Sequence, residues 1–191
     1  MSLHHMPTII AGIRQAEPKI QIELVPSDES RNLLFREADI AIRMYRPSQP
    51  DLIARHLGDM RLGLYGARGY LDRAGRPGTL EQALQMDFVG YDELSLLIDG
   101  FAQAGITVAR DWFPVRCDDH ATYWELVRAG AGLGFGQKPV ADMTPDIEEI
   151  ATGFPLPPLP VWLTAHERMR RTPRLRRVWD LLAEGLGPLL A

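Results

Sequence analysis

Asp119-His-Ala-Thr-Tyr-Trp-Glu-Leu-Val-Arg-Ala-Gly-Ala-Gly-Leu-Gly-Phe-Gly136 is the stretch whose reading decides the fold. Asp119 is a favoured helix cap, and Gly130 is the favoured residue just past a helix end. A helix over Asp119–Ala129 is therefore expected, followed by a short apolar strand over Leu133–Gly136. The glycines invite comparison with a dinucleotide fingerprint. That motif needs glycine at its first, third and sixth places, between a strand and a helix. Counting from Gly130 puts Phe135 in sixth place, and counting from Gly132 puts Gln137 there. The glycines also follow a helix instead of opening one. No phosphate loop exists either, because Lys138 follows Gln137 and not glycine.

Just upstream stands Cys117-Asp118-Asp119-His120. Three readings are open. A metal or thiol centre needs side chains that converge, and consecutive residues at a strand end do not. A structural reading makes Cys117 a small buried hydrophobe and Asp119 a cap. A third makes Asp119 and His120 the rim of a ligand cleft, beyond the C-terminal end of a strand, where open α/β sheets bind ligands. Ser27-Asp28 occupies a similar place after an earlier strand and is expected to cap a helix over Glu29–Glu37.

Working outward, helix-like and strand-like segments alternate, which argues for an α/β fold with mostly parallel sheets flanked by helices. Pro7–Ala16 reads as a helix with Ile9, Ile10 and Ile13 on one stripe. Lys19–Val25 alternates strictly and reads as a strand. Further strands are expected at Asp39–Met44, Leu52–Leu57, Arg61–Ala67, Asp87–Tyr91, Pro114–Cys117 and Val161–Ala165. Thr79-Leu-Glu-Gln82 is a capping-box pattern, and Thr172-Pro173 marks the start of a last helix. Chain crossings near Tyr65–Arg68 and the proline-rich Phe154–Pro160 suggest two lobes, with 1–66 and 161–191 in one and 67–160 in the other.

Composition narrows the function classes. The chain has 191 residues, 46% apolar and 24% charged, with a net charge of −4. That balance is globular, and it is not that of a domain held to DNA by its own basic excess. The single cysteine excludes an internal disulfide and a cysteine-rich zinc site. It fits a reducing compartment, and a cytoplasmic location is expected. No stretch reads as a membrane helix, since the longest uncharged run carries Pro155, Pro157, Pro158 and Pro160. The basic run Arg168–Arg177 reads as a solvated helix start, with Leu175, Val178, Trp179 and Leu182 as the buried stripe. His4-His5 reads as a solvated pair. No coherent nucleophile, metal set or cofactor loop emerges, so an enzyme is not expected and no cofactor is assigned.

Five passages in order resemble the effector-binding domain of the LysR-type transcriptional regulators. They are Ala16–Leu24, Glu37–Arg43, Asp51–Gly58, Gly66–Leu71 with Gly75-Arg-Pro77, and Leu126–Gly134. Two departures stand out. Glu17 replaces the tyrosine of the usual tyrosine-proline pair, and the strand that usually opens the domain is absent or replaced by Met1–His5. The resemblance implies a two-lobed fold like type II periplasmic binding proteins, with a small effector between the lobes. The effector contacts it implies fall on Ser27, Asp28, Arg43, Met44, Tyr65, Gly66, Tyr91 and Asp119. His120 joins them from its place in the sequence.

The effector class is open, with small organic acids among the candidates. DNA would be bound only through a winged helix-turn-helix that this chain lacks. Pairing into a homodimer or homotetramer is implied, with Ile9, Ile13, Ile22 or Tyr123 left exposed in the monomer. The alternative is a stand-alone or periplasmic solute-binding protein.

Overall fold

The computed structural model describes residues 1–28, 38–49, 51–154, 156–167 and 171–190. The chain forms two compact units, Met1–Arg61 with Pro157–Ala191, and Leu62–Leu156.

In the first unit, helix α1 (Met6–Ala16) carries Pro7 in its first turn, where the missing N–H costs nothing. It buries Met6 and Ile13 against the last helix, α7 (Pro173–Leu186), whose buried stripe is Trp179, Leu182 and Leu186. Beneath them lie three strands, β1 (Ile40–Arg43), β2 (Leu52–Met60) and β8 (Leu159–His166), in the order β1-β8-β2. Alternation along β8 sends Leu163 and Ala165 into this core. A bulge interrupts β2 between His56 and Gly58. Gly58 supplies the positive φ of 146° there.

In the second unit, β3 (Leu62–Ala67) lies between β6 (Gly134–Gln137) and β7 (Ile147–Glu149). A parallel pair, β4 (Val89–Gly90) and β5 (Val115–Arg116), stands beside them. Among the described residues five α-helices complete the unit, α2 (Arg68–Ala74), α3 (Leu80–Ala83), α4 (Leu96–Gln103), α5 (His120–Arg128) and α6 (Lys138–Asp142), with a short 3-10 turn at Arg110–Trp112. Strand β3 contributes to two cores. Leu64 packs with Leu71, Phe88, Phe101, Phe113 and Leu133. Tyr65 packs with Val89, Tyr91, Tyr123, Trp124 and Val127.

The two-unit α/β organisation agrees with the sequence reading, but the strand directions differ. Among the described residues both three-stranded sheets are antiparallel. Parallel pairing is confined to β4–β5 and the Phe88–Leu133 bridge. The chain path explains the first sheet: β2 leads out of its unit and β8 leads back into it. The division after Arg61 also places Tyr65 and Gly66 in the second unit, where the sequence reading had put them in the first.

Other local expectations need correction. The alternating Lys19–Val25 belongs to no strand. Alternation describes a face, whereas a strand also needs a ladder partner, and none pairs with it among the described residues. Leu24 and Val25 stay exposed. The helix expected over Glu29–Glu37 lies outside the described residues. Strand β7 was not anticipated; it follows a turn at Asp146, whose φ is +59°. Thr172 makes no side-chain cap, although Pro173 does open α7. His5 is buried instead of solvated. Ile13 and Tyr123, expected at an exposed pairing face, are both core residues, and Ile9 and Ile22 are half-buried against the first core.

Candidate functional site

The parallel pair β4–β5 brings two loops together beyond its C-terminal ends. The first begins at Tyr91 and the second runs through Cys117–Asp119 into α5. Register pairing of Gly90 with Arg116 sets them side by side. No side chain larger than hydrogen fits at Gly90, where a Cβ would stand 2.3 Å from Cγ of Phe113.

The adjacent aspartates divide the work. Asp119 caps α5, accepting the Thr122 N–H at 2.7 Å. That hydrogen bond holds the Asp119 carboxyl below the usual carboxylate range. Asp118 turns the other way, and its Oδ1 accepts the N–H groups of Asp92 (2.9 Å), Glu93 (3.1 Å) and Leu94 (3.2 Å). Burial pushes Asp118 up. The three N–H donors and the charge of Arg110 outweigh it, leaving the carboxyl below its ordinary value. Asp92 in turn accepts from Arg116 Nε at 3.0 Å and pairs with Arg110. The first loop is thereby fastened to the second.

On this frame three rings meet in tilted contacts. Tyr91 lies 5.1 Å from His120 and 4.9 Å from Tyr123, centroid to centroid. Tyr91 and Tyr123 are buried, while His120 is exposed at the first residue of α5. Tyr65 joins the same core edge-on to Trp124 at 5.7 Å. Burial pushes the Tyr123 phenol well above its ordinary value, so it stays neutral and its oxygen accepts the Phe135 N–H at 2.9 Å. The arrangement offers an exposed imidazole at the start of a helix, backed by the buried Tyr91–Tyr123 pair. An imidazole beside the first helix amides suits an anionic ligand.

The structure thus brings Tyr91, Asp119 and His120 together, and links Tyr65 to them through the aromatic core. Gly66 faces elsewhere: a Cβ there would meet Leu133 at 2.8 Å and Leu71 at 3.1 Å, in the other core. In the first unit, Arg43 is buried at the end of β1 under the Tyr45 ring, 5.6 Å away, with Met44 half-buried beside it. Ser27 and Asp28 are exposed in an irregular segment. Sequence reasoning missed Asp118, Asp92 and Tyr123. A signal existed for one of them, since two successive aspartates at a helix start cannot both cap it. Among the described residues no group of three His, Cys, Asp or Glu is placed to hold a metal.

Comparison with known proteins assigns the family. The model of the LysR substrate binding domain matches residues 1–187. The HTH-type transcriptional regulator CrgA of Neisseria meningitidis serogroup B is 27% identical over 98% of this chain. The chain spans 64% of that relative's length. The solved regulatory domain of CrgA superposes with a TM-score of 0.85 at 23% identity, covering 98% of this chain and 94% of that one. Full-length AphB, a virulence activator of Vibrio cholerae, superposes with a TM-score of 0.75 at 16% identity, covering 96% of this chain and 64% of that one. With the family model matching nearly end to end, the chain belongs to the LysR substrate-binding domain family.

Proposed function

We propose that this chain is the effector-sensing domain of a cytoplasmic transcriptional regulator, and that its effector is a small organic acid. The observation that carries the reading is the cluster of Tyr91 with His120 and Tyr123 beyond the C-terminal ends of β4 and β5, with Asp119 capping the helix that presents His120. Tyr91, Asp119 and His120 are the proposed rim in the second unit, with Tyr65 in the core behind them and Gly66 facing the other core. Imidazole and the first helix amides recognise the carboxylate, and the buried Tyr91–Tyr123 pair backs the imidazole. The family match and the curated relatives, which are HTH-type regulators, favour this over a transport protein. Among the described residues no helix is long and apolar enough to cross a membrane.

The mechanism is a population shift. An effector that binds one arrangement of the domain better than another biases it, with couplings of about 1–3 kcal/mol typical. The bias would alter DNA binding by a helix-turn-helix module in a homodimer or homotetramer. The test is thermal unfolding of this chain against a panel of small aromatic and aliphatic carboxylates. At least one should raise the melting temperature, because a ligand selective for the native state stabilises it by mass action. H120A and Y91A should abolish that shift. A panel without a single shift, or a shift that survives both substitutions, overturns the rim assignment.

A further inference from the structure

Six of the chain's 21 lysines and arginines fall between Arg168 and Arg177, in a protein whose net charge is −4. The structure describes four of the six. Arg177 is committed, its Nε donating to Glu17 Oε1 at 2.8 Å. Arg171, Arg174 and Arg176 make no hydrogen bond or ion pair among the described residues, and all three are exposed. They are not needed to seat the helix, because α7 is held by Trp179, Leu182 and Leu186 on its opposite face. Arg171, Arg176 and Arg177 line an open depression of about 320 Å³ that runs along α7 from Pro173 to Asp180.

We propose that this arginine face is a sequence-independent contact for the phosphate backbone of duplex nucleic acid. Residues three and four apart share one side of a helix, about 5–6 Å from Cβ to Cβ. Within α7, Arg174 and Arg177 stand at that spacing, Arg176 lies on the other flank of the exposed side, and Arg171 precedes the helix. Charges spread in this way over the helix start meet separate phosphates of a strand. A single small anion needs donors that converge, and here Asp180 closes one end of the depression with a negative charge. Guanidinium groups suit phosphate oxygens through their fixed forked donors. The contact adds positioning on DNA and carries no sequence information. The choice of nucleic acid over other polyanions rests on the regulatory-domain reading; the unpaired charge does not.

The experiment is fluorescence anisotropy of a labelled random-sequence duplex titrated with this chain at low salt. We expect weak binding that falls steeply with salt. The triple variant R171Q/R174Q/R176Q should lose about tenfold or more, and its salt slope should shrink by about 2–3, since each phosphate contact contributes about 0.9. R55Q/R73Q/R128Q makes the same change in net charge elsewhere and should bind like the parent. Absence of binding, an unaffected patch variant, or equal losses in both variants overturns the proposal. Competition by millimolar inorganic phosphate at constant ionic strength also overturns it, reassigning the depression to a small anion. Failure here leaves the effector reading intact, because carboxylate-induced thermal shifts read Tyr91 and His120 and not α7.

Discussion

Gly63 and Gly136 stand opposite each other across the β3–β6 ladder, and an aromatic side chain lies over each. A Cβ on Gly136 would stand 2.4 Å from Cζ3 of Trp124, and one on Gly63 would stand 2.6 Å from the Tyr65 hydroxyl. These two absent side chains let the edge-on Tyr65–Trp124 pair pack close against the sheet. The aromatic core that supports the proposed rim is built on that space.

Gly136→Ala should therefore destabilise the protein by about 1–3 kcal/mol, the usual cost of overpacking a filled core. Gly63→Ala should cost a similar amount, because the Tyr65 ring in its way is as deeply buried as Trp124. Urea unfolding followed by tryptophan fluorescence measures both. Equal midpoints for Gly136→Ala and the parent would show that the Trp124 ring is not confined by Gly136.

Tyr123→Phe removes one oxygen from the interior. The ring still fills its place, but the Phe135 N–H loses its acceptor. A buried donor left without a partner costs about 1–3 kcal/mol. The same unfolding experiment should show that loss. Amide exchange at Phe135 should accelerate beyond what the global change explains.

The Asp118 carboxylate is expected to govern order in the loop that starts at Tyr91. Its folded value lies below the ordinary one, so the stabilisation it supplies is present above the ordinary carboxylate range. It is lost as pH falls through the folded value. Amides of Asp92, Glu93 and Leu94 should be protected from exchange at neutral pH and lose that protection in strong acid. In Asp118→Asn the protection should already be reduced at neutral pH, with α5 unchanged because Asp119 still caps it. Equal exchange in variant and parent would remove Asp118 from this role.

Leu186 is fully buried between α7, α1 and the first sheet. Leu186→Ala should cost about 2–5 kcal/mol, the range for a large-to-small change in a core. Far-UV circular dichroism against urea checks it. A loss below that range would mean that Leu189 and Ile9 close over the gap.

Most helices were legible in the sequence because their signals are local. Asp119 accepts from Thr122 as a cap must, and Gly130 ends the segment with φ of 81°. At Thr79 the expected box forms only in part. Gln82 donates its N–H to Thr79, but its side chain accepts from Gly78 and not from Thr79. The buried stripe of α7 was readable for the same reason, since a helix shows its apolar face in its own spacing.

Strand pairing was not readable in this way. Lys19–Val25 has the alternation of a strand and no ladder among the described residues, whereas Ile147–Glu149 has little alternation and pairs with β3 through Tyr65, Gly66 and Ala67. A strand is completed by another part of the chain, and nothing within seven residues says which part or in which direction.

The proposed site divides along the same line. The sequence by itself determined the α/β alternation, the caps, the glycine stop and the placement of Asp119 and His120 beyond a strand end. Only the tertiary structure decided that Tyr91 packs between His120 and Tyr123, that Asp118 fastens the loop from Asp92 to Leu94, and that Gly66 faces the core. Caps and stripes depend on neighbours a few residues away. Stacking, loop fastening and ladder partners join residues more than twenty apart, and they exist only once the chain has closed on itself.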